Sequence, residues 1–259
     1  MESQIVIFEA TNEQGTFSLN EKFYPNKSEK YIKNKFIETR KNIGDKFGFN
    51  YLKILEVRQK MQDNDDYPDN KYVVIDDSHL QKEDLLDEEI HADILIMSKK
   101  YPNIAVGHRM ADCPVLILED RKKGLTAICH TNTIHINREL PKYLVKTMID
   151  NFNSKADNLY LYIGSFVKKE NYIYDKYPIW ATNEKVWNDS IIKEEDGYHI
   201  DMERAILDQV KVFNLKEIIV SPIDTALDNP YASHTMYVHG HQEKAGQNFI
   251  GFYYKKNED

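Results

Sequence analysis

Cys113 and His130 are the pair best placed to do chemistry in this sequence of 259 residues. They bracket two apolar runs, Cys113-Pro114-Val115-Leu116-Ile117-Leu118 and Leu125-Thr126-Ala127-Ile128-Cys129-His130, joined by the charged stretch EDRKKG. Two such runs around a polar segment ending in glycine predict an antiparallel hairpin. If Leu118 faces Leu125, Cys113 falls directly opposite His130, with Cβ atoms about 4.5–5.5 Å apart on one sheet face. At that spacing a thiol and an imidazole can act as nucleophile and base, or share a metal ion. The inference depends on register, because a slip of one residue sends the two to opposite faces. The plainer alternative is a small core cysteine and a strand-ending histidine with ordinary partners. Asp112 favours chemistry, since a carboxylate beside an apolar run needs a partner. Arg109, three residues earlier, is its predicted counter-ion.

Further histidines bear on the same question. Cys129 and His130 are neighbours, so on a regular strand they point apart and cannot chelate together; Cys129 reads as core. His239 and His241 share one face if their segment is a strand, which makes a metal pair, or else they are exposed in a polar loop. The tyrosines at 160, 162, 172, 174 and 177 read as half-buried strand positions rather than a base-stacking platform.

The elements that must hold these residues follow from hydrophobic periodicity. Strands are predicted at 3–9, 51–57, 72–76, 92–97, 103–107, 113–119, 125–130, 159–163, 217–221 and 248–254. Helices are predicted at 28–47, 138–153 and 201–214, and a polar, acidic loop at 62–71. Strands and helices mix without strict βαβ alternation. The expectation is therefore one α/β or α+β domain over residues 1–259, with a mixed sheet packed by helices.

Composition limits the functions available. The chain carries 34 Lys+Arg against 42 Asp+Glu, a net charge of −8, which argues against nucleic acid as a partner. Two cysteines make no disulfide framework and suit a reducing compartment. No apolar run approaches the roughly 20 residues that span a bilayer, and the start MESQIVIFEATNEQ lacks a signal-peptide pattern. A cytoplasmic protein acting on a small molecule is the expectation.

Residues 104–130 resemble the signature of the laccase-domain family, also called the multicopper polyphenol oxidase or purine nucleoside phosphorylase family. Arg109, Ala111, Asp112 and Cys113 match its R-T-A-D-C segment, and Ala127 and His130 match its A-V-H-A-G-W strand end. Weaker similarity runs through 92–97, 162–175, 200–225, Ser233-His234 and Gly246-Gln247-Asn248. The resemblance implies a zinc ion held by Cys113, His130 and a third histidine, beside a pocket for a purine nucleoside and phosphate. At the third position this chain has Arg58, which cannot ligate a metal. His91 is one candidate replacement. His108 is a second, although it should face away from Cys113 if the strand between them is regular. Arg109, Asp112, Ser233 and His234 are the implied substrate contacts. Three functions remain open: a zinc-dependent nucleoside phosphorylase or deaminase; a metal-free cysteine hydrolase or deamidase using Cys113 and His130; and a non-catalytic descendant that binds a ligand or partner. In the last, Arg58 stands in for the metal's charge; if it turns into the pocket it lowers the Cys113 pKa, and if it swings outward to an acid such as Glu56 or Asp63 the thiol stays neutral and inert.

Overall fold

Most of the predicted elements form close to where the periodicity places them. The computed structural model describes residues 3–59, 71–86, 88–242 and 246–256, so the predicted loop at 62–71 lies outside the described residues except for Lys71. In chain order the elements are β1 (Ser3–Ala10), α1 (Glu29–Phe47), β2 (Ile54–Arg58), β3 (Tyr72–Val74), β4 (Glu89–His91), β5 (Ile94–Ser98), β6 (Ala105–Met110), β7 (Val115–Asp120), β8 (Leu125–His130), α2 (Thr133–Asn137), α3 (Leu140–Phe152), β9 (Leu159–Ile163), β10 (Ile173–Tyr174), α4 (Glu184–Trp187), β11 (Ile191–Glu194), β12 (Gly197–Ile200), α5 (Met202–Val210), β13 (Glu217–Val220), α6 (His234–Val238) and β14 (Asn248–Lys256). Several predicted boundaries shift by a few residues, two of them into 3-10 turns. Residues 51–53 form a 3-10 turn ahead of β2, and the helix predicted over 201–214 ends at Val210 before another 3-10 turn.

Two mixed sheets lie face to face. One has five strands in the order β1-β14-β6-β2-β4, the other six in the order β13-β9-β7-β8-β5-β3; β10, β12 and β11 make a small third sheet. The interior between the large sheets is apolar, with Leu55, Val57, Val106, Ile250 and Phe252 meeting Leu95, Met97, Val115, Ile117 and Ile128. The outer face of the five-stranded sheet packs on α1, whose Ile32, Phe36 and Ile43 recur at helical spacing. Ser28 caps this helix, accepting from the Tyr31 N–H, and Gly48 ends it at φ 80. The outer face of the six-stranded sheet packs on α2, α3, α4 and α5 through Leu144, Met148, Ala205 and Ile206. Each large apolar side chain so buried contributes about 1.5–3 kcal/mol. The architecture is therefore a mixed α/β fold of two sheets between helical layers. Among the described residues no helix is long and apolar enough to cross a membrane.

Glu9 ties the sheets together from β1. Its carboxylate accepts from Tyr162 Oη at 2.8 Å, the Ser165 N–H at 3.0 Å, Tyr231 Oη at 2.8 Å and the Ser165 hydroxyl. Glu9→Ala strands these donors, and the expected loss is about 2 kcal/mol. Urea unfolding measures it; Tyr162→Phe, which removes one donor only, should fall well short of that.

Candidate functional site

The chain turns sharply between β6 and β7, and the turn places the residues singled out above. Asp112 sits at φ 141, a conformation that L-residues rarely adopt. It is held from several sides. Thr225 Oγ1 donates to Oδ1 at 2.7 Å, the Thr235 N–H donates to Oδ2 at 2.7 Å, and the Val167 N–H donates to the Asp112 carbonyl at 3.0 Å. The Ser233 hydroxyl also bonds the carboxylate, and the His234 N–H donates to the Ala111 carbonyl at 3.0 Å. Ser233 and His234 thus meet the Asp112 loop; Ser233 is buried as the cap of α6, whereas the His234 ring is exposed. A strained residue fixed by so many partners marks a place where geometry is enforced.

Three expectations from the sequence need correction. First, the hairpin closes two residues later than predicted. Asp120 pairs with Leu125 and Val115 with His130, so Cys113 lies outside β7 and is not opposite His130. The reason is Asp120, which is fully buried and accepts the Lys123 and Gly124 N–H groups through its side chain and carbonyl. Glu119 and Asp120 therefore continue the ladder instead of starting the turn. Second, Arg109 pairs with the buried Glu56 on β2, and Asp112 takes hydroxyl and amide donors instead. Third, Arg58 ends β2 with an exposed side chain, and the charge acting on Cys113 is that of Asp112. Burial and that carboxylate push the Cys113 thiol up to about 12, opposite to the lowering expected of an inward Arg58 and in line with the outward alternative. Iodoacetamide labelling at pH 8 is expected to be more than tenfold slower for Cys113 than for a free thiol, with identical rate–pH curves for wild type and Arg58→Ala.

His130 meets other histidines. Its ring centre lies 6.1 Å from that of His108 on β6 and 6.2 Å from that of His135 on α2. All three are buried. His130 Nδ1 lies 2.9 Å from Gln59 Oε1, and Gln59 Nε2 donates to the Asp93 carbonyl at 3.0 Å, which fixes the amide and makes Nδ1 the donor. Burial and the neighbouring His135 lower the His130 pKa to about 3, so the ring is neutral. Burial likewise lowers His108 well below the usual histidine range. His135 was not among the predicted site residues, although Asn132 capping a short helix over Thr133–Asn137 carries it inward. His91 is exposed at the end of β4, beside Arg58, and stands outside this cluster. Cys129 is fully buried in the core beneath the helices. His239 and His241 flank Gly240 after α6 and are exposed.

A profile of the family described as multi-copper polyphenol oxidoreductase laccase matches residues 28–249. The chain belongs to that laccase family. Among solved structures, this laccase-family chain is similar to YlmD from Geobacillus stearothermophilus at 14% identity and TM-score 0.76, covering 97% of this chain and 92% of that one. It is similar to YfiH of Bacillus licheniformis at 16% identity and TM-score 0.68, covering 86% and 82%. It is also similar to a Neisseria meningitidis protein at 13% identity and TM-score 0.64, covering 97% and 90%. At these identities the likeness is one of fold. No curated protein matches the sequence.

The residues present do not fit the zinc shell that the laccase-domain resemblance implies. Arg58 is exposed and permanently charged, and Cys113 is held as a thiol. Among the described residues, the three-donor grouping whose atoms lie within 4.8 Å of one another is Glu194, Asp196 and His199, on the β11–β12 hairpin. There His199 Nε2 lies 2.7 Å from Asp196 Oδ1, which raises the histidine pKa. Protonated, His199 neutralises an exposed acidic pair, and the cluster is accounted for as an ion pair network.

Proposed function

We propose that this member of the laccase family is a small-molecule binder, with purine nucleosides as the ligand class to test, that does not use Cys113 as a resting nucleophile. The observation that carries the reading is the placement of Cys113: it lies ahead of β7 and not opposite His130, with Asp112 next to it and Arg58 exposed at the end of β2, and burial and that carboxylate favour the neutral thiol. A thiolate mechanism and the usual zinc-dependent one both need a different arrangement. The family match supports the ligand class. The half-buried Tyr172, close enough to Cys113 for their charges to interact, supplies an aromatic surface next to the thiol. In this reading Asp112, Ser233 and the Thr235 amide form the polar side of the site, with Arg109 buttressing the strand beneath.

Calorimetric titration with adenosine, inosine and guanosine, with and without phosphate, tests it alongside chromatographic detection of free base or deaminated product. Binding without turnover, retained in Cys113→Ser, is the expected result. Turnover abolished by Cys113→Ser would return the site to cysteine chemistry. Absence of binding by all three nucleosides would remove the ligand class.

A further inference from the structure

Two loops clamp Asp112, and one side chain from the far end of the sequence, Glu9, holds both of them just upstream of the clamp. Ile5 and Ile7 pack into the interior between the large sheets, and strand alternation puts Glu9 on that same face. Its carboxylate meets the loops there. Oε1 accepts the Ser165 N–H at 3.0 Å and Oε2 accepts the Ser165 hydroxyl. Two residues on, the Val167 N–H donates to the Asp112 carbonyl. Oε2 also accepts from Tyr231 Oη at 2.8 Å. The chain after Tyr231 supplies the His234 N–H to Ala111 and the Thr235 N–H to Asp112 Oδ2. The two loops are joined through Thr225, whose N–H donates to the Phe166 carbonyl at 3.2 Å while its hydroxyl holds Asp112 Oδ1. Neither Ser165 nor Tyr231 belongs to a strand or helix. Glu9 does: β1 is paired with β14 along its whole length, from Ser3 to Ala10.

We propose that Glu9 is a positioning residue for the Asp112 site: through Ser165 and Tyr231 it fixes both clamping loops to β1 and so keeps Asp112 at its positive φ. A backbone conformation of that kind persists only where its surroundings over-determine it, and irregular loops left to themselves open locally at little free-energy cost. The role rests on hydrogen bonds and not on charge. A glutamine at residue 9 can still accept the Ser165 N–H and the Tyr162 hydroxyl through its carbonyl oxygen. Its amide can donate to the Ser165 and Tyr231 hydroxyls, which accept as readily as they donate. An alanine there leaves the loops without their anchor. That a ligand meets Asp112 rests on the nucleoside reading above. The clamp itself involves no ligand, so nucleoside titration can fail while the Glu9 result stands.

The test is amide hydrogen exchange of the full chain, read residue by residue by nuclear magnetic resonance. In Glu9→Ala the Val167, His234 and Thr235 amides should exchange faster than in wild type by about tenfold or more. In Glu9→Gln the same three should stay within about threefold of wild type, a rescue by the conservative variant. Leu144→Ala truncates the core on the far side of the six-stranded sheet. It lowers the stability of the whole fold and should leave the three amides within about threefold of wild type. If Glu9→Ala does not fold, Tyr231→Phe decides, with the His234 and Thr235 amides expected to exchange about threefold faster or more. Three outcomes overturn the proposal: unchanged amides in the folded Glu9→Ala or Tyr231→Phe variant; an equal acceleration in Leu144→Ala, which makes Glu9 a stabiliser of the fold alone; or Glu9→Gln behaving like Glu9→Ala, which removes hydrogen bonding as the cause.

Discussion

Acidifying the chelator-treated protein from pH 7 to pH 5 is expected to remove about 3–4 kcal/mol of unfolding free energy. His108 and His130 are the cause. Each is neutral in the fold and titrates near 6.5 once unfolded, whereas burial lowers His130 to about 3 and His108 well below its ordinary value. Between those limits the unfolded chain binds more protons than the folded one, so stability falls as pH drops below about 6.5. Each imidazole contributes about 1.4 kcal/mol per pH unit across that window. Asp112 acts in the opposite sense, because burial raises its carboxyl; it is one group against two. Urea midpoints at pH 7, 6 and 5, read from tryptophan fluorescence, measure the effect. His108→Phe should remove about half of the pH dependence. A midpoint that does not move with pH would mean that these rings are solvated or already charged.

A methyl group at residue 251 should destabilise the fold about as strongly. Gly107 on β6 and Gly251 on β14 are register partners. A Cβ built on Gly251 would stand 2.3 Å from the Val106 carbonyl oxygen and 3.0 Å from Gly107 Cα. Both are backbone atoms in a sheet interior and have nowhere to retreat. Overpacking of this kind costs about 3 kcal/mol, so Gly251→Ala should lower the melting temperature by about 6–12 °C for a chain of this size. Gly240→Ala is the comparison: nothing lies within 4 Å of its Cβ, and only the φ of 75 opposes the substitution, at about 1–2 kcal/mol. Equal shifts for the two variants would show that strand contact is not what selects glycine at 251.

What could be read from the sequence was whatever rests on local pattern. α1 was legible because Ser28, the Ile32–Phe36–Ile43 spacing and Gly48 agree with one another. β8 was legible as a short apolar run after a charged turn, and β9 because its residues alternate. The hairpin was legible as a hairpin but misregistered, since a charged Glu119-Asp120 looks like a turn until Asp120 is seen buried and capping the turn itself. The site was half legible. Asp112, Ser233 and His234 do converge, but the argument that turned His108 away assumed a regular strand to Cys113, and the chain bends at Asp112. His135 shows no helical periodicity of its own. Its relevance comes from three elements meeting, which spacing along one segment does not encode.

The pairing of β1 with β14 has a consequence during synthesis. Residues 3–10 find their only strand partner in residues 249–256 among the described pairings, and β14 also separates β1 from β6. While the ribosome is still making the segment before Asn248, the six-stranded sheet and its helices can already assemble, but the five-stranded sheet has a gap in its middle. Phe8, Val57 and Val106 wait exposed for that interval. Nascent chains stalled short of β14 are thus the form of this protein most in need of a chaperone.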